Sequence, residues 1–434
     1  MREMKDSGIE WIGKIPNHWK LMPTKYFKSN SKNAFVDGPF GSNLKSDHYI
    51  DDGDIYVIES GFISTGKFVF KDFKTISNEH FETIKRSECV EGDIIIAKIG
   101  ANYGMAGELP KLDKKSVVSG NSLKLTLNPN IMLNFILIRQ LEIAKKNDGF
   151  INIVNETAQP ALSLYSLNNF RFVVPPIDEQ KRIASYLDEK CSEIDALTAD
   201  IQKQIETLEE YKRSVITEAV TKGLDPDVEM KDSGVEWIED VPAHWEIIRG
   251  KYILKCLNKP IREDDGVITC FRDGEVTLRS NRREDGFTMA DKEIGYQGID
   301  VGDLVVHGMD GFAGAIGISD SRGKASPVLN VLGTSQNKQY IMYYLRSMAY
   351  NDVFTAIATG IRVRSCDLRW NKLAELLYPV PPIDEQNLIV DYINKQLDRA
   401  NEVIAFKKQQ LETLEEYKKS LIFEYVTGKK EVVQ

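Results

Sequence analysis

Two stretches of connector sequence occur twice in this chain, and they limit what it can fold into more than any other feature. Met4–Trp19 reads MKDSGIEWIGKIPNHW and Met230–Trp245 reads MKDSGVEWIEDVPAHW, with 11 of 16 positions identical. The hexapeptide PPIDEQ at Pro175–Gln180 returns unchanged at Pro381–Gln386. Each copy opens a long amphipathic stretch that carries ETLEEYK, at Glu206–Lys212 and Glu412–Lys418. The segments between the repeats, 20–174 and 246–380, are far less alike. Constant connectors around divergent payloads predict one frame that presents two different heads.

The long stretches read as helices. Asp178 and Glu179 place negative charge at the positive end of the first, and Gly223 followed by Pro226 punctuates its end. Leu187, Ile194, Ile201, Leu208 and Val215 recur every seventh residue, with Leu197 and Tyr211 between them and Cys191, Ile205 and Ala219 widening the stripe. Shifted by 206 residues, the second stretch gives Ile393, Ala400, Lys407, Leu414 and Leu421, with Val403 and Tyr417 between. Gln204 and Gln410 hold matching polar positions. Two matched heptad patterns predict mutual packing. Connectivity makes the pairing antiparallel, because the first helix leaves the first payload and the second can return to it. About 44 residues at ~1.5 Å each span ~66 Å, a spacer between two heads. His18 and His244, each before a tryptophan, read as packing residues.

The expected organisation is α+β: two mixed α/β heads joined by two long antiparallel helices forming a coiled coil, in a pseudo-twofold arrangement. The boundaries are a cassette at 1–19, the first head at 20–174, a long helix at 175–223, the repeated cassette at 224–245, the second head at 246–380, a long helix at 381–428 and a tail at 429–434. Within the heads, Gly92-Asp93-Ile-Ile-Ile and Gly302-Asp303-Leu-Val-Val read as equivalent buried strands, each followed by glycine-rich sequence and later by a helix, at Ile131–Lys146 and Gln339–Met348.

Charge separates connector from payload. The chain carries a formal net charge of −9. Residues 20–174 hold 19 Lys and Arg against 17 Asp and Glu, residues 246–380 hold 18 against 17, and residues 175–245 hold 8 against 18. The acid therefore sits on the connector, which is ill suited to lie on phosphates. No apolar run approaches the ~18 residues of a membrane span. The N-terminus has no signal-peptide core, and five cysteines form no CxxC pair; a cytoplasmic protein with structural thiols is expected.

Catalytic signatures are missing. Gly61–Lys67 resembles a phosphate loop, but Phe68 stands where Ser or Thr must hold magnesium. Asp93 with Ile96-Ala97-Lys98 outlines a nuclease carboxylate motif without its second acid. No metal-binding His/Cys spacing, H-E-x-x-H or G-x-S-x-G occurs. Residues suited to reading DNA lie in the expected loops. They are Ser42, Asn43, Lys45, Asn102, Tyr103, Asn121 and Gln159 in the first head, and Arg272, Arg279, Arg282, Arg283, Arg362, Arg364 and Arg369 in the second. Arginine can grip guanine through two hydrogen bonds, and Asn or Gln can do so with adenine.

The chain resembles the specificity subunits of type I restriction–modification systems. The resemblance rests on SGIEWIGKIPNHW and SGVEWIEDVPAHW, VPPIDEQ before both long helices, ETLEEYK and AVTKGL, with GPFGSNLK and GDIIIAKIGANYG in the first head. It implies a non-catalytic, DNA-binding subunit whose two target-recognition domains each read one half of a split, asymmetric site in double-stranded DNA. It also implies that the coiled coil sets the gap and docks two methyltransferase subunits, with two restriction subunits completing the complex. No cofactor is expected in this chain; S-adenosylmethionine, ATP and Mg2+ belong to the implied partners. The alternatives are a non-DNA coiled-coil scaffold, a specificity subunit of a methylation-only system, and a fused enzyme.

Overall fold

The structure, a computed structural model, describes residues 2–64, 66–154, 160–282, 294–357 and 368–432. The chain divides into two compact units: Met1–Ala199 with Leu411–Gln434, and Asp200–Gln410. Among the described residues, no helix is long and apolar enough to cross a membrane.

Each unit is built on an antiparallel four-stranded sheet. In the first, the strand order is Ala106–Glu108, Ile94–Ala97, Ser122–Leu125, Phe35–Asp37. In the second it is Leu254–Leu257, Leu329–Thr334, Leu304–His307, Ile316–Ile318. The repeated Gly-Asp leads into the central strand both times. Gly92 and Gly302 both lie at positive φ, +84° and +81°, where a Cβ is disfavoured. Asp93 and Asp303 then close the turn. Asp93 accepts hydrogen bonds from the Val90 N–H at 2.8 Å and the Thr126 hydroxyl at 2.5 Å, and Asp303 accepts one from the Asp300 N–H at 2.9 Å. Asp93 is thus a fully buried structural carboxylate, paired with Lys124 at 3.5 Å.

In the two central strands, residues 94–97 and 304–306 are apolar throughout because both of their faces are covered. Ile94 and Ile96 point to the core that holds Trp19 and the helix Asn134–Lys146, while Ile95 points to a separate core with Ile58, Phe62 and Val118. Leu304 and Val306 likewise face the core with Trp245 and the helix Lys338–Tyr350, and Val305 faces away from it. Alternation of side chains along a strand produces both splits. The first unit adds a second sheet, in the order Lys74–Ile76, Ile55–Ile58, Lys115–Val118, Glu88–Cys89, whose central pair is parallel.

The first long helix is continuous over Ile177–Lys222 and the second over Ile383–Val426. Within the first unit they run in opposite directions: Tyr186 meets Tyr425 with ring centroids 4.6 Å apart, and Asp195 pairs with Lys418. Within the second unit Gln204 bonds Lys407, and the Tyr211 hydroxyl reaches Gln396 at 3.5 Å. The buried stripe comprises Leu187, Cys191, Ile194, Ile205, Val215 and Ala219 on the first helix and Ile393, Ala400, Ile404, Leu421 and Tyr425 on the second. Ile201, Leu208 and Leu414 are half-buried.

Four expected seam residues lie elsewhere. Leu197 is 52% exposed, Tyr211 45%, Val403 44% and Tyr417 55%. The stripe follows each heptad position with the residue four places on, as at 187 and 191 or 400 and 404, and not three. Both spacings share one period of seven, so periodicity alone does not say on which side of the stripe the second residue falls.

Candidate nucleic-acid interface and its frame

The repeated cassettes converge on one carboxylate each. Residues 4–6 pair antiparallel with 14–16, as 230–232 pair with 240–242, in the same register. Lys5 donates to the carbonyls of Asn17 and Trp19, both at 2.6 Å; Lys231 does the same to Ala243 and Trp245, at 2.8 and 2.5 Å. The hairpins so fixed aim His-Trp at the start of a long helix. Trp19 Nε1 donates to Glu179 at 2.9 Å, and His18 Nε2 lies 2.5 Å from its other oxygen. Trp245 Nε1 donates to Glu385 at 3.0 Å, with His244 Nε2 at 2.8 Å. The histidines are therefore carboxylate partners more than packing residues. Arg2 adds a third donor to Glu179. Burial raises the Glu179 pKa, but the hydrogen bonds from Trp19, His18 and Arg2 together outweigh it and hold the carboxyl below its ordinary value.

The neighbouring glutamine ties the head to the frame. Gln180 is fully buried; its carbonyl accepts from the Leu133 N–H at 2.8 Å and its amide donates to Ile131 and Pro175. Gln386 accepts from the Asn337 N–H at 2.9 Å and donates to Pro381 and Gln336. Each glutamine thus anchors the start of the helix that backs its sheet. Sequence reading registered PPIDEQ as a repeat without these roles, although its identity at Glu and Gln was the available signal.

The long helices end against the cassettes. Gly223, at φ +75°, sits where a Cβ would come within 3.3 Å of the Trp245 ring. Gly428, also at φ +75°, sits where a Cβ would lie 2.4 Å from Pro16. Lys429, at the end of the chain, donates to the Ile12 carbonyl at 2.6 Å and also to that of Lys14. The N-terminal cassette of the first unit is therefore closed by the C-terminal segment.

On this frame, each sheet ends in a loop-bearing edge. In the first unit, Ala97 pairs with Ser122 and Asp37 with the adjacent Leu123, so the loops after Asp37 and Ala97 and the turn before Ser122 leave the same edge. Candidates Ser42, Asn43 and Lys45 are exposed on the first of these loops, Asn102 on the second and Asn121 on the turn. Tyr103 is half-buried, with the Lys145 ammonium 3.2 Å from its ring centre. The edge also gathers residues not selected from sequence. Lys98 and Arg86 bracket Asp37 at 3.5 and 2.6 Å, and the Lys98 ammonium lies 4.1 Å over the Phe40 ring. Gln159 lies outside the described residues.

The second unit's edge is built of different residues. His307, at the end of the central strand, accepts the Met309 and Asp310 N–H groups at Nδ1. Burial pushes its imidazole pKa down, opposed by Asp310. Arg272 is exposed and pairs with Asp310 at 2.9 Å. Arg282 pairs with Asp273 and Glu275 and lies 4.2 Å over Phe271. Arg279 is half-buried, with its Nε 3.3 Å from the Thr269 hydroxyl. Arg369 is exposed beside Gly308, whose carbonyl accepts the Leu368 N–H at 2.8 Å. Arg283, Arg362 and Arg364 lie outside the described residues. The arginine cluster read from sequence is therefore already engaged with carboxylates at Arg272 and Arg282. A network missed by sequence reading stands nearby: Arg322 bridges Asp265 at 2.7 Å and Asp300 at 2.6 Å, and Lys259 joins Asp300 and Asp303 at 2.8 and 2.6 Å. The hydrogen bonds from Lys259 and Arg322 hold Asp300 down at about 2.

Residues 41–207 match the family model described as the type I restriction modification DNA specificity domain. Two proteins of Methanocaldococcus jannaschii align over most of the chain. The type I restriction enzyme MjaVIII specificity subunit is 25% identical, covering 78% of this chain and 79% of its own length. The putative type I restriction enzyme MjaX specificity subunit is 24% identical, covering 96% and 95%. Among solved structures, a chain from a study of complex assembly and conformational transition of the type I R-M system superposes with TM-score 0.64 at 13% identity, over 95% of this chain and 98% of that one. The HsdS subunit from Thermoanaerobacter tengcongensis gives 0.52 at 13%, over 96% and 98%. The fold is α+β and is shared with these solved structures. The relatives and the family model that this chain resembles are specificity subunits, or their DNA specificity domain, of type I restriction–modification systems.

Proposed function

We propose that this chain reads a bipartite, asymmetric site in double-stranded DNA, one half through each sheet edge. The single observation that carries this reading is the contrast inside each unit. The carboxylate clamp and the glutamine anchor repeat nearly atom for atom, while the loops at the two sheet edges differ in chemistry. A repeated frame with unlike edges is what two unlike half-sites require. Near-neutral heads and an acidic connector fit DNA at the heads and protein along the helices.

The two long helices serve as an antiparallel coiled coil that sets the gap between the half-sites and docks two methyltransferase subunits, with restriction subunits joining the assembly. The exposed Leu197, Tyr211, Val403 and Tyr417 suit such docking, since they leave apolar surface open on both helices. S-adenosylmethionine, ATP and Mg2+ act in those partners, and this chain supplies recognition without chemistry.

The test is adenine methylation mapped across a host genome that expresses the methyltransferase partner, with and without this chain. A new two-part motif, methylated on both strands and dependent on this chain, is expected. Exchanging residues 246–380 for those of a relative should change one half of the motif only. A change in both halves, or no motif from a soluble complex, contradicts the reading.

A further inference from the structure

The loop Gly38–Gly41 is held rigidly while its one large side chain points outward. A Cβ on Gly38 would fall 1.9 Å from the Ser119 carbonyl oxygen, and one on Gly120 would fall 2.6 Å from that of Pro39. Only glycine allows the loop and the 119–122 turn to approach this closely. Pro39 restricts the backbone further. Beyond these contacts Phe40 is 56% exposed.

An exposed aromatic ring on a fixed loop costs solvation and contributes little to a core. Its surroundings give it a different use. Lys98 lies over the ring, Lys98 and Arg86 share Asp37, and Asn121 stands on the turn that locks the loop. Two cations, an amide and an apolar surface are thus brought to one sheet edge. Cations hold phosphates, amides read base edges, and aromatic or apolar side chains pack on base faces and methyl groups. The asymmetry with the second unit supports the assignment. There the edge is made of His307, Asp310 and Arg272.

Resting on the DNA-reading role proposed above, we infer that Phe40 is a specificity-determining base contact of the first half-site, with the exposed Arg86 as its flanking phosphate-side cation and the buried Lys98 packed against the ring. The ring packs on a base, and the locked loop fixes which base pair it meets. No covalent step is involved.

The test uses the full chain assembled with its methyltransferase partner and duplexes carrying its own motif. The payload exchange identifies which half belongs to the first unit. Phe40→Ala should weaken binding about tenfold to a hundredfold, as for loss of one base-packing aromatic. It should also relax one position of the methylated motif in that half while leaving the other half unchanged. Phe40→Trp should retain both affinity and motif. Arg86→Lys should leave the motif intact while shifting affinity for all duplexes alike. Wild-type affinity and motif in Phe40→Ala overturn the inference and leave the bipartite reading standing. Loss of both half-sites with a lowered Tm overturns it as well, by making Phe40 structural. If the wild-type complex yields no motif, the DNA-reading role fails and the inference falls with it.

Discussion

The two units solve the same framing problem identically and the same presentation problem differently. Glu179 and Glu385 are each held by a Trp-His pair, and Gln180 and Gln386 each anchor the helix behind a sheet. At the sheet edges the likeness stops, with Phe40, Lys98 and Arg86 in one unit and His307, Asp310 and Arg272 in the other. Frame contacts tolerate little substitution, because each buried donor or acceptor left unpaired costs about 1–3 kcal/mol. Loop contacts at an edge carry no such penalty, so chemistry can vary there while the scaffold persists.

Removing residues 411–434 should break the likeness most severely. It strips Leu421, Ile422, Tyr425 and Val426 from the first unit's core and leaves the second unit's residues untouched. Burial of each aliphatic side chain contributes about 1.5–3 kcal/mol, so the first unit should unfold. Limited proteolysis should degrade 20–174 and spare 246–380; equal survival of both contradicts the assignment.

Trp19→Ala and Trp245→Ala sharpen the comparison. Both indoles are fully buried, and each truncation should cost its own unit about 3–5 kcal/mol. Denaturant unfolding should show mirror-image losses, and a markedly smaller loss at one site would mean that the clamps are not equivalent.

Arg322→Ala should act on the second unit alone. Asp265 is buried and would lose its guanidinium partner, at a cost of about 3 kcal/mol. A neutral effect would show that the Arg262 N–H, 2.8 Å away, suffices.

Acid should test the first unit's clamp more gently. Glu179 has a folded pKa below its ordinary value, so its contribution is present above the unfolded pKa and fades as pH falls through the folded one. The first unit should therefore lose stability below about pH 4.3, the ordinary glutamate value, and Glu179→Gln should flatten that limb. An unchanged limb would place the acid-sensitive group elsewhere.

The smallest effect belongs to the outward-facing helix residues. Leu197→Ala and Tyr417→Ala should change stability by less than about 0.5 kcal/mol, as surface substitutions do. Several-fold larger losses would return them to the seam.

Much of the frame was legible in the sequence. Gly92-Asp93 and Gly302-Asp303 marked the turns into the two central strands, because a left-handed glycine before a turn-closing aspartate is a local signal. PPIDEQ marked both helix starts. The seam was half legible: residues at 187, 194, 215, 393 and 421 pack inward, and the intermediate four do not. A helix pattern records that one face is apolar and not which neighbour covers it.

The site was less legible still. Polarity and loop placement picked out Asn102, Asn121 and Arg272, which are exposed at or beside the sheet edges. They gave no hint that Arg272 and Arg282 already face carboxylates, or that Phe40, Lys98, Arg86 and Asp37 form one cluster. Those residues span positions 37 to 98 and meet only through strand pairing.

The sequence by itself determined the duplicated frame, the helix starts and the buried central strands, because each depends on residues near one another in the chain. Only the tertiary structure decided which carboxylate each Trp-His pair holds, how residues 411–434 complete the first unit, and which side chains share a sheet edge. Those outcomes depend on register between distant segments. Register is fixed by the sum of many packing and hydrogen-bond choices, and no single motif encodes it.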